Sequence, residues 1–356
     1  MLRREAPRRA LQSALEGVDR LVLLGDMIEL RQGPVREAVA AAAPVLGEIG
    51  ASLGPAREVV LVPGNHDHHL AEAWIARRAR DAEPPPLQLE SALDLEPGET
   101  LAAVAEALSP AAVRAAYPGV WLREDVYAMH GHYADRHTTV PMFERLGAGV
   151  TARVVRDSLG RPGRGRIEDY EATLSPLYAW LHAVAQSQDG AAGRGTHGAS
   201  TRAWRALSGS GRRRSLRRRG LVIAFPAIVA GLNRAGLGPF HADVSSPELR
   251  RAGLRAIVTA LDRLDVRAEH VIFGHTHRAG PLADDDRREW RAPGGAQLVN
   301  SGCWVYEPAH VGTAPSTSPY RPGFAVTVSD DGPPVLSNLL DAVVTPGQLA
   351  PTPAPA

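Results

Sequence analysis

Four short apolar runs, at residues 21–24, 59–62, 126–129 and 271–273, each break off at a Gly or just before one: Gly25, Pro63-Gly64, His130-Gly131 and Gly274. Runs of this length, rich in Val, Ile and Leu and bounded by breakers, predict buried strands. A fifth run at 297–299 ends at Asn300-Ser301-Gly302. Between them, residues 35–50, 70–80, 101–116 and 249–264 carry helical periodicity or Ala-rich composition and predict helices. Residues 324–328 and 335–339 flank Asp330-Asp331-Gly332 and predict a hairpin. Strands alternating with helices predict an α/β fold.

The polar residues that end these strands share one chemistry. Gly25-Asp26, Gly64-Asn65-His66-Asp67, His130-Gly131-His132 and Gly274-His275-Thr276-His277 place carboxylate, amide and imidazole groups at strand carboxyl ends, where open α/β sheets gather their sites. Neutral imidazole and carboxylate oxygen suit Zn, Mn or Fe. In an extended segment His275 and His277 project to one side. Any one of the four segments alone reads as an ordinary turn or loop; the ordered set points to a metal site.

This set resembles the calcineurin-like metallophosphoesterases, whose pattern runs Asp-x-His, Gly-Asp, Gly-Asn-His-Asp/Glu, His and Gly-His-x-His. The resemblance implies a sandwich of two mixed β-sheets flanked by helices, with two divalent ions (Mn, Fe or Zn). It also implies metal-assisted hydrolysis of a phosphomonoester or phosphodiester. On that basis Asp26 bridges the metals, Asn65, His130 and His275 complete the second position, and His277 serves the first. His66 stands beside the leaving group; Asp67 either orients His66 or caps the helix that follows. Asp135, Arg136, His137, Glu29 and Arg278 are candidates for substrate contact. His68, His69 and His132 are expected outside the ligand set.

The Asp-x-His segment has no counterpart here: before Gly25 the chain has no His, and its acids are Glu5, Glu16 and Asp19. Residues 2–9 read as a loop and 10–15 as a helix. Two readings stay open, a start downstream of the first strand and loss of the first metal position. The first is favoured, since a missing central strand leaves backbone groups unpaired.

Composition narrows the picture modestly. The 356 residues carry a formal net charge of +1, which gives no global drive toward nucleic acid. A single cysteine, Cys303, excludes an internal disulfide framework and is expected to serve packing. With no apolar segment after the basic N-terminus, a cytoplasmic location is expected. The domain is expected to span 1–342, with a helical and loop insertion near 145–245 and a disordered tail at 343–356. Within the insertion, 187–220 is rich in Gly, Ser and Arg and reads as a flexible basic loop ending in Arg212-Arg213-Arg214-Ser215-Leu216-Arg217-Arg218-Arg219. An apolar stretch from Leu221 to Leu232 follows. It is either a cap over the site or, with the arginines, a peripheral membrane contact. The substrate is accordingly a small-molecule or a lipid-linked phosphate ester, and a non-catalytic module of the same fold is a third reading.

Overall fold

The computed structural model describes residues 1–139, 164–186, 234, 246–312 and 315–343. The arginine run 212–219, the stretch 221–232, the loop 187–220 and the tail from 344 lie outside the described residues. The chain forms two compact units, one of residues 1–30, 34–131 and 267–356, the other of 31–33 and 132–266.

The first unit is built on one mixed, seven-stranded sheet. Its strands are β1 (Arg20–Leu24), β2 (Glu58–Val62), β3 (Glu90–Leu93), β4 (Ala112–Arg123), β5 (Val126–Met129), β6 (His270–Phe273) and β7 (Gln297–Asn300). The order is β1-β2-β4-β5-β6-β7, with β3 paired to β4. β1, β2 and the first part of β4 run parallel; β5, β6 and β7 form a second parallel set. β4 joins the two sets because it is long. Residues Ala112 to Ala115 pair with β2, while Gly119 to Arg123 pair antiparallel with β5. The sheet is therefore continuous. The separate second sheet is a single hairpin, β8 (Phe324–Thr327) with β9 (Val335–Asn338). The structure is thus α/β, as the strand and helix pattern implied.

Period-2 alternation along β2 sorts its side chains onto two faces. Val59 and Leu61 pack with Leu46, Ile49 and Leu53 of α2 (Val35–Leu53), Leu70 and Trp74 of α3 (His69–Arg78), and Leu101 and Val104 of α4 (Thr100–Ala107). Val60 and Val62 pack with Ala116, Val126, Ile272 and Val299, and with Val326 and Leu336 of the hairpin. These four residues, Val59 to Val62, are fully buried, so truncating Leu61 to Ala costs about 2–5 kcal/mol. A rigid β2 fixes the origin of the Gly64-to-Asp67 turn that follows it. β1, by contrast, is a sheet edge among the described residues, with Leu21 to Leu24 only partly buried.

Two expectations are corrected. Residues 112–116 are not the end of a helix: α4 stops at Ala107 and the chain enters β4. Pairing with β2 and β3 overrides the helical propensity of the Ala-rich run, and Pro110 separates the two elements. Residues 5–9 belong to the first helix, α1 (Glu5–Ala14), rather than to a loop, with Pro7 in the first turn, where its missing N–H has no helical role. The turn at 284–286 is exposed at Asp284 and Asp286, but the Asp285 side chain is buried against Arg278.

The second unit contains a 3-10 turn (His132–Arg136), α5 (Ile167–Gln186) and α6 (Ser246–Arg263). It starts before and ends after the expected insertion. Tyr133 stacks on Tyr170 at 4.5 Å between ring centres and donates to the Glu171 carboxylate. Among the described residues no helix is long and apolar enough to cross a membrane.

Candidate metal centre

Four strand ends deliver the ligand-type residues of the first unit. β1 leads into Gly25 and Asp26, β2 into the 64–67 turn, β5 into His130 and β6 into the 274–277 turn. Asp26, His130 and His275 each offer a ligand atom, and these atoms lie within 4.8 Å of one another. His130 Nε2 is 3.2 Å from Asp26 Oδ2 and 3.1 Å from Asn65 Oδ1. His275 Nδ1 is also 3.1 Å from Asn65 Oδ1. Two oxygens and two nitrogens thus converge, a donor set that fits a borderline divalent cation.

The close approach depends on two glycines. A Cβ on Gly25 would sit 2.2 Å from His130 Nδ1, and one on Gly64 would sit 2.5 Å from Asp26 Oδ1. Gly25 also has a φ of +79°, which favours residues without a Cβ. Three of the candidate ligand residues are strained: Asp26, His275 and His277 have φ of +53°, +64° and +60°. Non-glycine residues in this region cost of order 1–3 kcal/mol each and persist only where surroundings over-determine them.

Those surroundings can be named. Asp67, fully buried, accepts from the backbone N–H groups of Gly64 (2.7 Å), Met27 (2.9 Å) and Asp26 (3.1 Å). Asp26 in turn accepts from the His66 N–H at 2.8 Å. The two loops are therefore stapled to each other by carboxylates. At the fourth loop, buried Asn300 donates through Nδ2 to the Gly274 carbonyl (3.0 Å) and to Thr276 Oγ1 (2.8 Å). This hold replaces the extended geometry expected for His275 and His277: both are left-handed, and the Thr276 N–H folds back to the Gly274 carbonyl at 2.7 Å.

Asp67 takes neither of its two expected roles. Its side chain serves the Asp26 loop, and it is Glu29 that meets His66, with Oε2 2.7 Å from Nδ1. Leu70, in the first turn of α3, is bonded by the Asp67 carbonyl, not its carboxylate. The physical reason is burial. A carboxylate with no access to water needs several donors, and the converging backbone N–H groups provide three.

Electrostatics follow from the same packing. Burial alone would raise the Asp26 carboxyl, but His130 and His66 hold it well below the ordinary carboxylate range. Burial would lower His130, and the Asp26 carboxylate reverses the sign and raises it to about 9. His130 Nδ1 faces the Leu24 carbonyl at 2.9 Å, so it carries a proton and leaves Nε2 toward Asp26 and Asn65. Burial pushes His277 down to about 4, with Asp26 opposing. His277 is thus neutral at neutral pH, the form that binds metals. Burial, then the neighbouring Asp26, raise Asp67 to about 6.

The remaining candidates have other contacts. Arg278 forms a two-point ion pair with Asp285, 2.6 and 3.0 Å, and lies over the Trp290 ring. Asp135 and His137 belong to the second unit, where Tyr178 Oη donates to Asp135 (3.3 Å) and Tyr170 Oη lies 2.7 Å from His137 Nε2. His132 packs there against Tyr133 and Tyr178. Sequence reasoning missed the positioning role of Asn300. The available signal was its place at the end of a buried strand, where a polar side chain that cannot reach water must bond the next loop.

Compared with protein-family models, curated proteins and solved structures, the chain matches none.

Proposed function

We propose that the first unit is a metal-dependent phosphoesterase of the calcineurin-like type, hydrolysing a phosphomonoester or phosphodiester. The observation that carries this reading is the convergence of Asp26, Asn65, His130 and His275 from four separate strand ends. A divalent ion such as Mn, Fe or Zn held by these residues would act as a Lewis acid, activating water and offsetting phosphoryl charge.

The chain's own residues supply orientation and protons. Asp26 is the group on which the site's charge depends, since it alone carries a full negative charge among the four. His66 is held at Nδ1 by Glu29, and as the imidazolium it would donate from Nε2 to the departing oxygen. Asp67 and Asn300 hold the loops so that the donors need no reorganisation when substrate arrives. A second ion, sharing Asp26, would draw on His277; among the described residues His277 joins no trio of His and carboxylate ligands.

That last fact favours a second reading, a phosphate-binding module without turnover. Hydrolysis of bis-p-nitrophenyl phosphate with added Mn²⁺ separates the two. The phosphoesterase reading requires turnover that falls at least ~100-fold in Asp26→Ala, about 2.7 kcal/mol of transition-state stabilisation. Metal binding without any turnover would establish the module instead.

A further inference from the structure

A second group of metal-ligating side chains lies at the opposite end of the same strands. Asp125 precedes β5, Glu269 precedes β6, and His270 is the first residue of β6. Their ligand atoms lie within 4.8 Å of one another. β6 runs from His270 to Phe273 before the 274–277 turn, so ~13 Å of strand separates this cluster from the candidate metal centre.

The cluster opens into a cavity of about 330 Å³, also lined by Arg123, Gln297 and Gly332. His270 is 7 % exposed and faces that cavity. Among the described residues its imidazole makes no hydrogen bond, and its nitrogens are not sealed in the core, so they are open toward the cavity. The backbone pins the three residues together: the Asp125 carbonyl accepts from the N–H groups of Glu269 (2.9 Å) and His270 (3.0 Å). The Glu269 carbonyl accepts from Gln297 N–H at 2.7 Å.

We propose that Asp125, Glu269 and His270 form a distinct site for a divalent transition-metal ion, Zn²⁺ being the best match to one imidazole and two carboxylates. Ligands of a tetrahedral ion with bonds of ~2.1 Å lie about 3.4 Å apart. The three groups therefore need to close by at most about 1.4 Å on binding, a movement that exposed Glu269 accommodates by rotation. Arg123 does not exclude the ion. Its guanidinium takes one lone pair from each Asp125 oxygen, at 2.5 and 2.8 Å, and a carboxylate retains about two more. Arg123 also donates to the Ser329 and Gly332 carbonyls, both at 2.7 Å, and so acts as the hydrogen-bonded support that ligating carboxylates have. Asp330 and Asp331 act on Arg123 as well, so three carboxylates share one guanidinium and the local field favours a cation.

The test uses the full chain, stripped of metal and carrying Asp26→Ala to weaken the other centre, titrated with Zn²⁺ by calorimetry and with Co²⁺ by visible absorption. One equivalent should bind that is weakened at least ten-fold by Glu269→Gln and lost in His270→Gln. Glu269 is exposed, so its variant keeps the fold, which far-UV circular dichroism checks. Zn²⁺ affinity and stoichiometry unchanged in the folded Glu269→Gln variant, or no Zn²⁺ uptake at all in the Asp26→Ala background, would overturn the proposal.

Discussion

At the residue scale, the centre is governed by carboxylates that bind backbone rather than substrate. Asp67 satisfies three N–H groups; replacing it with Ala leaves the donors of a buried turn without an acceptor. At 1–3 kcal/mol for a buried orphan group, Asp67→Ala is expected to lose about 3 kcal/mol or more in urea unfolding and to weaken Mn²⁺ binding with it. Asp67→Asn, which keeps one acceptor oxygen, should lose less. Glu29 acts through His66: Glu29→Gln should lower kcat roughly ten-fold with KM nearly unchanged, the size typical of an orienting carboxylate. Equal losses in kcat and in folding stability would mark Glu29 as merely structural.

Cys303 permits a clean pH prediction at the same scale. Burial raises its thiol to about 11, with the Val305 backbone opposing only in part. Thiolate is the reactive form, so at pH 8 about one molecule in a thousand is ionised, and native-state alkylation by iodoacetamide should speed up about ten-fold per pH unit toward 11. Fast labelling at pH 7 would contradict the packing role.

At the scale of elements, the loops after the strands matter more than the strands. Gly25→Ala sets a Cβ into the His130 ring and leaves a residue with a side chain at positive φ, so it should abolish metal binding at the main centre. Gly50 shows the same logic in a helix. An interior Gly→Ala in α2 would ordinarily stabilise by about 1 kcal/mol. Here the new Cβ falls 1.9 Å from the Leu108 carbonyl oxygen, against which α2 packs. Gly50→Ala should therefore lower Tm, by an overpacking penalty of about 1–3 kcal/mol.

The strand and helix pattern anticipated most of these elements because burial on both faces of a sheet imposes continuous apolar runs bounded by breakers, which propensity alone does not. It failed at 112–116, where Ala-rich sequence was read as helix. Nothing local reveals that β2 and β3 supply pairing partners for that segment. It also missed β3 itself, Glu90–Leu93, a short strand with no apolar run, held by antiparallel pairing to β4.

At the scale of the molecule, metal binding at the proposed centre would be linked to folding. A cation that binds only the folded chain stabilises it by RT ln(1 + [L]/Kd), about 2.7 kcal/mol at a hundred-fold excess over Kd. Chelation by EDTA should therefore lower Tm, and Mn²⁺ should restore it in a concentration-dependent way that Asp26→Ala loses. A Tm indifferent to both treatments would argue against a metal centre.

The sequence by itself determined which residue types end which strands: Asp26, Asn65, His130 and His275 were legible because ligand-bearing turns interrupt apolar runs in a recognisable order. Tertiary structure alone decided what each remaining polar group does. Whether Asp67 faces His66 or the Asp26 backbone, whether Arg278 faces a site or Asp285, and whether Asp125, Glu269 and His270 meet at all depend on contacts between residues distant in the chain. Spacing along one strand predicts which face a side chain takes. The donor it finds there depends on which loops the packed sheet brings alongside.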